Sequence, residues 1–174
     1  MKHLKRSLRL PLADAHSGAI GLFMLLALLG FADATYLTVE HFRGVIPPCS
    51  VTEGCATVLT SQYSVVLGMP VSLLGSLYYL TIAVGAFLYL ESKHGSGKIS
   101  RYHSMILKGT YLMTALGFLM SLWFVYLQLV ILKSICIYCM GSATTSILLF
   151  LVAIYMLRNS SKAQPEAPIS LIDP

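Results

Sequence analysis

GTYLMTALGFLMSLWFVYLQLVIL, residues 109–132, and SICIYCMGSATTSILLFLVAIYML, residues 134–157, are two runs of 24 residues without a charged side chain, separated by Lys133 alone. A helix crosses the hydrocarbon core of a bilayer in about 17–25 residues. Inside lipid only helices and closed barrels satisfy every backbone donor and acceptor. The two runs therefore read as transmembrane helices, and a break of so few residues makes them an antiparallel hairpin. A third charge-free run of 24 residues spans Leu67 to Leu90, and a fourth, Ser17 to Val39, is interrupted by Asp33. The expected spans are 17–39, 67–91, 105–132 and 135–157. The fold class is an all-α membrane protein, a bundle of four transmembrane helices, with an outer loop and short helix capping its mouth.

Composition agrees. Of 174 residues, 56% are apolar and 11% charged, where a soluble domain carries about 25% charged residues; mean hydropathy is +0.76. The net charge of +5 raises nucleic acid as a partner, but the placement of the charges excludes it. Ten of the twelve Lys and Arg fall before span one, between or near the ends of spans two and three, or after span four, and only Arg43 and Lys133 fall on the other side. That is the positive-inside pattern, and it puts both termini in the cytoplasm. Residues 1–16 read as a basic cytoplasmic arm, 17–157 as the membrane domain with an extracytoplasmic loop at 40–66, and 158–174 as a polar, disordered cytoplasmic tail. No small-residue cleavage site follows span one, so it reads as a retained span. In the outer loop, Ala56 to Leu67 reads as a short apolar helix lying on the membrane surface as a lid.

All four cysteines fall on the outer side, in two close pairs. Cys49 and Cys55 sit in the loop behind Pro47–Pro48, and Cys136 and Cys139 form a C-x-x-C, CIYC, at the outer end of span four. Positions i and i+3 share a helix face, so the CIYC sulfurs can meet. With Ser134 as the N-cap, the helix N-terminus stabilises a thiolate, the nucleophile of disulfide exchange. The loop pair is free to swing between a soluble protein and the membrane-embedded pair. Two static disulfides are the competing reading on an oxidising face; a four-cysteine zinc site would need two ligands from membrane depth, and no metal is expected. The small residues that follow Met140, through Ser146, let a flat ring approach the span-four backbone. A pocket there is apolar and open to the bilayer, which suits a lipid-soluble quinone, and no glycine-rich phosphate loop offers a nucleotide site. Asp33, in the outer half of span one, needs a partner or water and reads either as a functional carboxyl or as a structural one.

These features together resemble the bacterial members of the vitamin K epoxide reductase family. The resemblance rests on YLTVEHF at the end of span one, the pair Cys49 and Cys55, Ser61, the Leu67-Gly68-Met69-Pro70 lead into span two with Tyr78-Tyr79 beyond it, and CIYC; it covers about residues 17–157. It implies a quinone-dependent thiol oxidase supporting disulfide bond formation in the bacterial inner membrane. Cys139 would face the quinone, ubiquinone or menaquinone, and Cys136 would close the disulfide with it. Cys55 would exchange with Cys136, Cys49 would take electrons from a thioredoxin-fold partner, and Ser61 would lie near the quinone. The family's vertebrate members hold the quinone oxygens with an Asn near the start of span two and a Tyr four residues past the second C-x-x-C cysteine. Val71 and Ala143 stand there in this chain, which favours simple quinone reduction over epoxide reduction. Only a short segment follows span four, so the thioredoxin-fold partner, a periplasmic thiol oxidase, is expected to be a separate protein. The other four-helix quinone-linked oxidase, of the disulfide bond protein B type, carries its C-x-x-C in the first outer loop, the reverse of the order here. From a different class, a non-enzymatic transporter or assembly subunit with structural disulfides is the alternative.

Overall fold

The computed structural model describes residues 10–49, 54–94 and 103–162. The expectations for the first nine residues, most of the inner loop and the end of the tail lie outside those residues. The elements are α1 (Leu10–Arg43), a short α2 (Gly54–Leu59), a hairpin of β1 (Val65–Val66) and β2 (Met69–Pro70), α3 (Val71–His94), α4 (His103–Tyr126) running into one π-helical turn (Leu127–Ile131), and α5 (Ile137–Lys162). Four of these helices are long and apolar enough to cross a membrane, over Gly18–Arg43, Val71–Glu91, Met105–Ile131 and Ile137–Arg158. This is the four-helix membrane bundle that the charge-free runs predict, and the chain is a multi-pass membrane protein.

Helix ends follow local rules. Gly44, at φ +66°, ends α1. Its N–H bonds the His41 carbonyl at 3.1 Å and the Val45 N–H bonds the Glu40 carbonyl at 3.0 Å. That pair is a Schellman motif, for which glycine's left-handed freedom is suited. Pro47 and Pro48 then keep the chain from resuming a helix. At this outer end Glu40, although largely buried, pairs with Arg43 at 3.1 Å.

Two expectations about the outer side need correction. The lid helix does not run from Ala56 to Leu67: α2 stops at Leu59, and the chain turns through Ser61 and Ser64 into the hairpin. Val65 pairs with Pro70 and Val66 with Met69, leaving Leu67 and Gly68, both at positive φ (52° and 79°), as a two-residue turn. Such turns require that conformation at both positions, so the Gly-containing turn overrides the apolar helical pattern. Span four also starts later than expected, at Ile137, because Lys133 adopts φ 49°. Cys136, not Ser134, occupies the N-cap position, and its carbonyl accepts the Met140 N–H at 3.0 Å.

In the bundle α1 packs on α3 and α5, and α4 packs on the same two, which closes a four-membered ring of helices. Lipid supplies no hydrophobic drive for helix association, so close packing at small residues carries it. Gly30 of α1 lies against the Tyr79 ring and Gly117 of α4 against Tyr78, in each case so tightly that a Cβ would clash. The Tyr79 hydroxyl is anchored on α5, donating to the Ser142 carbonyl at 2.6 Å, so its ring cannot yield. The core between the helices includes Phe23, Ala27, Ile82, Ala86 and Leu149. Leu25, Leu28, Leu77, Phe87, Leu119 and Leu151 point outward, an apolar surface that water would not tolerate at this extent and that lipid covers.

Candidate active site

The end of the bundle that carries the 40–66 loop brings both cysteine pairs together. Cys49 and Cys55 form a disulfide, with Cα atoms 6.1 Å apart. Cys136 and Cys139 are free thiols and are hydrogen-bonded to one another. The loop pair is thus oxidised and the helix pair reduced.

Burial divides each pair. Cys55, in the first turn of α2, is 1% exposed and Cys136 is 0% exposed. Cys49 keeps partial exposure. Gly54, which precedes Cys55, presses on the backbone of Ile135, which precedes Cys136. A Cβ at residue 54 would clash with the Ile135 carbonyl oxygen and lie 2.7 Å from its nitrogen. This backbone contact holds the residue before Cys55 against the residue before Cys136. A second clasp comes from Tyr138, inside the C-x-x-C: its hydroxyl donates to the Pro48 carbonyl at 3.2 Å, and its ring lies 5.5 Å from that of Tyr36. In this arrangement the loop rests on the helix pair at Pro48 and at Gly54.

Cys136 lies just outside the fourth span. Its thiol pKa is lowered to about 7, chiefly by the hydrogen bond from the Cys139 thiol, with the Cys139 and Tyr138 backbone N–H groups adding to the effect and burial opposing it. The start of a helix presents such unpaired donors, which favour the thiolate of Cys136.

Cys139 faces another way. It lines a cavity of ≈ 1080 Å³ between the spans and beneath α2, together with Ser142, Ala143 and Ser146 of the same helix. Val71, Gly75 and Tyr78 of α3 form a second wall, and Met113, Gly117, Trp123 and Gln128 on the α4 side form a third. Val58, Ser61 and Tyr63 roof it. The lining is mostly apolar, with a volume in the range of, and slightly above, ordinary small-molecule sites. Ser61, singled out by resemblance, is in this roof, and its Oγ donates to the Val58 carbonyl at 2.8 Å. Val71 and Ala143 are also in the walls, without a side-chain hydrogen-bonding group. The Oδ2 of Asp33 is buried without a hydrogen-bond partner among the described residues. Among those residues no cluster of three or more His, Cys, Asp or Glu is arranged to hold a metal ion.

Sequence reasoning missed Gln128. It sits in the π-helical turn, 2% exposed, and its Oε1 accepts the Cys136 N–H at 2.8 Å while its carbonyl accepts the Ser134 N–H at 3.0 Å. π-helical turns within α-helices are frequent at functional sites. The available signal was a lone carboxamide in an otherwise apolar span, eight residues before a C-x-x-C.

No curated protein matches the chain at a significant level. The model of the vitamin K epoxide reductase family matches residues 21–154, a range that contains both cysteine pairs and nearly the whole of every span. A buried thiol pair shared between a docked disulfide and a membrane cavity accords with that match, and the chain belongs to the vitamin K epoxide reductase family of membrane oxidoreductases.

Proposed function

We propose that the protein reoxidises a thioredoxin-fold thiol protein on the outer side of a bacterial inner membrane and passes the electrons to a membrane quinone, in support of disulfide bond formation. The observation that carries this reading is the division of the C-x-x-C: Cys136 is buried next to Ile135, on which the loop's Gly54 rests, while Cys139 lines the cavity. Both termini are then cytoplasmic, and the 40–66 loop faces the partner. The four catalytic residues are Cys49, Cys55, Cys136 and Cys139.

The chemistry balances as a sequence of exchanges. A partner thiolate attacks the Cys49 sulfur and releases Cys55; the partner's second thiol then frees Cys49 and leaves the partner as a disulfide. The Cys55 thiolate next attacks Cys136 in a Cys136–Cys139 disulfide and releases Cys139. Attack by Cys49 on Cys55 closes the loop disulfide again and frees Cys136. The result is the distribution seen here, an oxidised loop pair with a reduced helix pair. The helix dithiol then gives two electrons and two protons to the quinone, which becomes a quinol as Cys136 and Cys139 join. The apolar side chains of Val71 and Ala143 suit simple quinone reduction, and Ser61 lies where it can face the ring. Two free thiols at the helix pair count against a protein with two static structural disulfides.

Two tests separate the ends of the relay. Trp123 is the protein's single tryptophan and lines the cavity. Titrating ubiquinone-1 into the purified protein in nanodiscs is expected to quench its fluorescence saturably. A linear response, equal to that of free tryptophan in the same lipid, would exclude a cavity site. At the other end, Cys55→Ser is expected to accumulate a dithiothreitol-sensitive adduct between Cys49 and an outer-face protein of thioredoxin fold, seen on non-reducing gels. Adducts found only on Cys55, in the Cys49→Ser variant, would reverse the assigned order of the loop cysteines.

A further inference from the structure

A quinone in the cavity presents two carbonyl oxygens, and at least one needs a hydrogen-bond donor if the ring is to sit in one orientation against Cys139. The hydroxyls around it are largely committed inside the protein. The Ser61 Oγ donates to the Val58 carbonyl, the Ser64 Oγ to the Ser61 carbonyl and the Tyr79 hydroxyl to the Ser142 carbonyl. The walls at Val71 and Ala143 offer none. Gln128 differs. It lines the cavity, is 2% exposed, and spends its Oε1 on the Cys136 amide, which leaves the Nε2 protons to serve as donors. An amide N–H₂ beside an apolar cavity gains from an acceptor placed there, and a carbonyl ligand supplies one.

We propose that Gln128 is a quinone-binding residue: its Nε2 donates to a carbonyl oxygen of the quinone held against Cys139, while its Oε1 stays on the Cys136 amide. The assignment rests on the quinone reading above. One rigid carboxamide then registers both partners of the reaction, the thiol pair through the backbone of Cys136 and the acceptor through its oxygen. The hydrogen bond also favours the reduced ring, because negative charge grows on that oxygen as electrons arrive. The amide keeps its protons; the two protons of the quinol come from the thiols.

The test is the infrared carbonyl stretch of ¹³C-labelled ubiquinone-1 bound to the full-length protein in nanodiscs. In the wild type, one carbonyl band is expected below its frequency in protein-free lipid. In Gln128→Met, of similar length but with neither a strong donor nor a strong acceptor, that displacement is expected to vanish. Trp123 quenching should then report binding weakened about five- to tenfold, the loss of one neutral hydrogen bond. Gln128→Asn, which keeps the carboxamide on a shorter stem, should restore part of the displacement. A role confined to bracing Cys136 would slow loop-to-helix exchange in Gln128→Met and leave the carbonyl bands unmoved, and that result overturns the proposal. An undisplaced band in the wild type overturns it without reference to any variant. Absence of saturable quenching in the wild type sinks the quinone reading itself, and this assignment with it.

Discussion

In Cys139→Ala, quinone-dependent oxidation of a reduced thiol protein is expected to fall by at least about a hundredfold, the scale of losing a covalent participant, while the protein still inserts and folds. On the proposed function, the cavity that Cys139 lines is the route by which a lipid-soluble acceptor approaches the thiols. Cys136 has no access of its own, being 0% exposed and walled by the Gly54–Ile135 contact. Without Cys139, the pair cannot close a disulfide, so two electrons cannot leave as quinol. A Cys55–Cys136 bond, if formed by an external oxidant, then lacks the neighbouring thiol that resolves it from the helix side. The assay follows quinone absorbance alongside the thiol state of the substrate protein. Wild-type turnover in Cys139→Ala would remove Cys139 from the electron path and the cavity from the mechanism.

The fold was legible because lipid leaves a sequence few options. A charge-free run of 24 residues at membrane depth has to be a helix, and the runs give the four spans. The pairing of cysteines was legible for a related reason: thiols serve little purpose at a membrane face except in exchange or as staples. The local geometry that makes the site work was less visible, since it depends on contacts across the chain. Ser134 looked like an N-cap by type, yet the left-handed Lys133 carries the chain past it. The cap position falls to Cys136, whose N–H is taken by a side chain eight residues back. The Ala56–Leu67 lid looked helical by apolar content, and two positive-φ residues at 67 and 68 made a hairpin of its end. The importance of Gly54 was hidden entirely, because a glycine in a loop has no signature until the backbone it touches is known.

That glycine carries the second large effect. In Gly54→Val, electron transfer from the loop pair to the helix pair is expected to slow by roughly a hundredfold, the order of loss that about 1 Å of misplacement causes between reacting groups. The obstruction is backbone on backbone: a Cβ on residue 54 meets the Ile135 carbonyl and amide, and no rotamer change relieves it. The first turn of α2, which carries Cys55, has to lift from Ile135. The clasp from Tyr138 to the Pro48 carbonyl reaches only the Cys49 end of the loop and cannot hold Cys55 in place. Because the Gln128–Cys136 bond and Cys139 stay on the helix side, saturable quenching of Trp123 by ubiquinone-1 should change little. Single-turnover experiments check this. Protein prepared with a reduced loop pair and an oxidised helix pair is quenched by alkylation at set times, and each cysteine's state is read by mass spectrometry. An unchanged exchange rate in Gly54→Val would mean that the sulfurs meet in some arrangement other than this docked one. Slowed exchange together with lost quenching would mean that the substitution had disrupted the cavity as well, and that loop and quinone site form one unit.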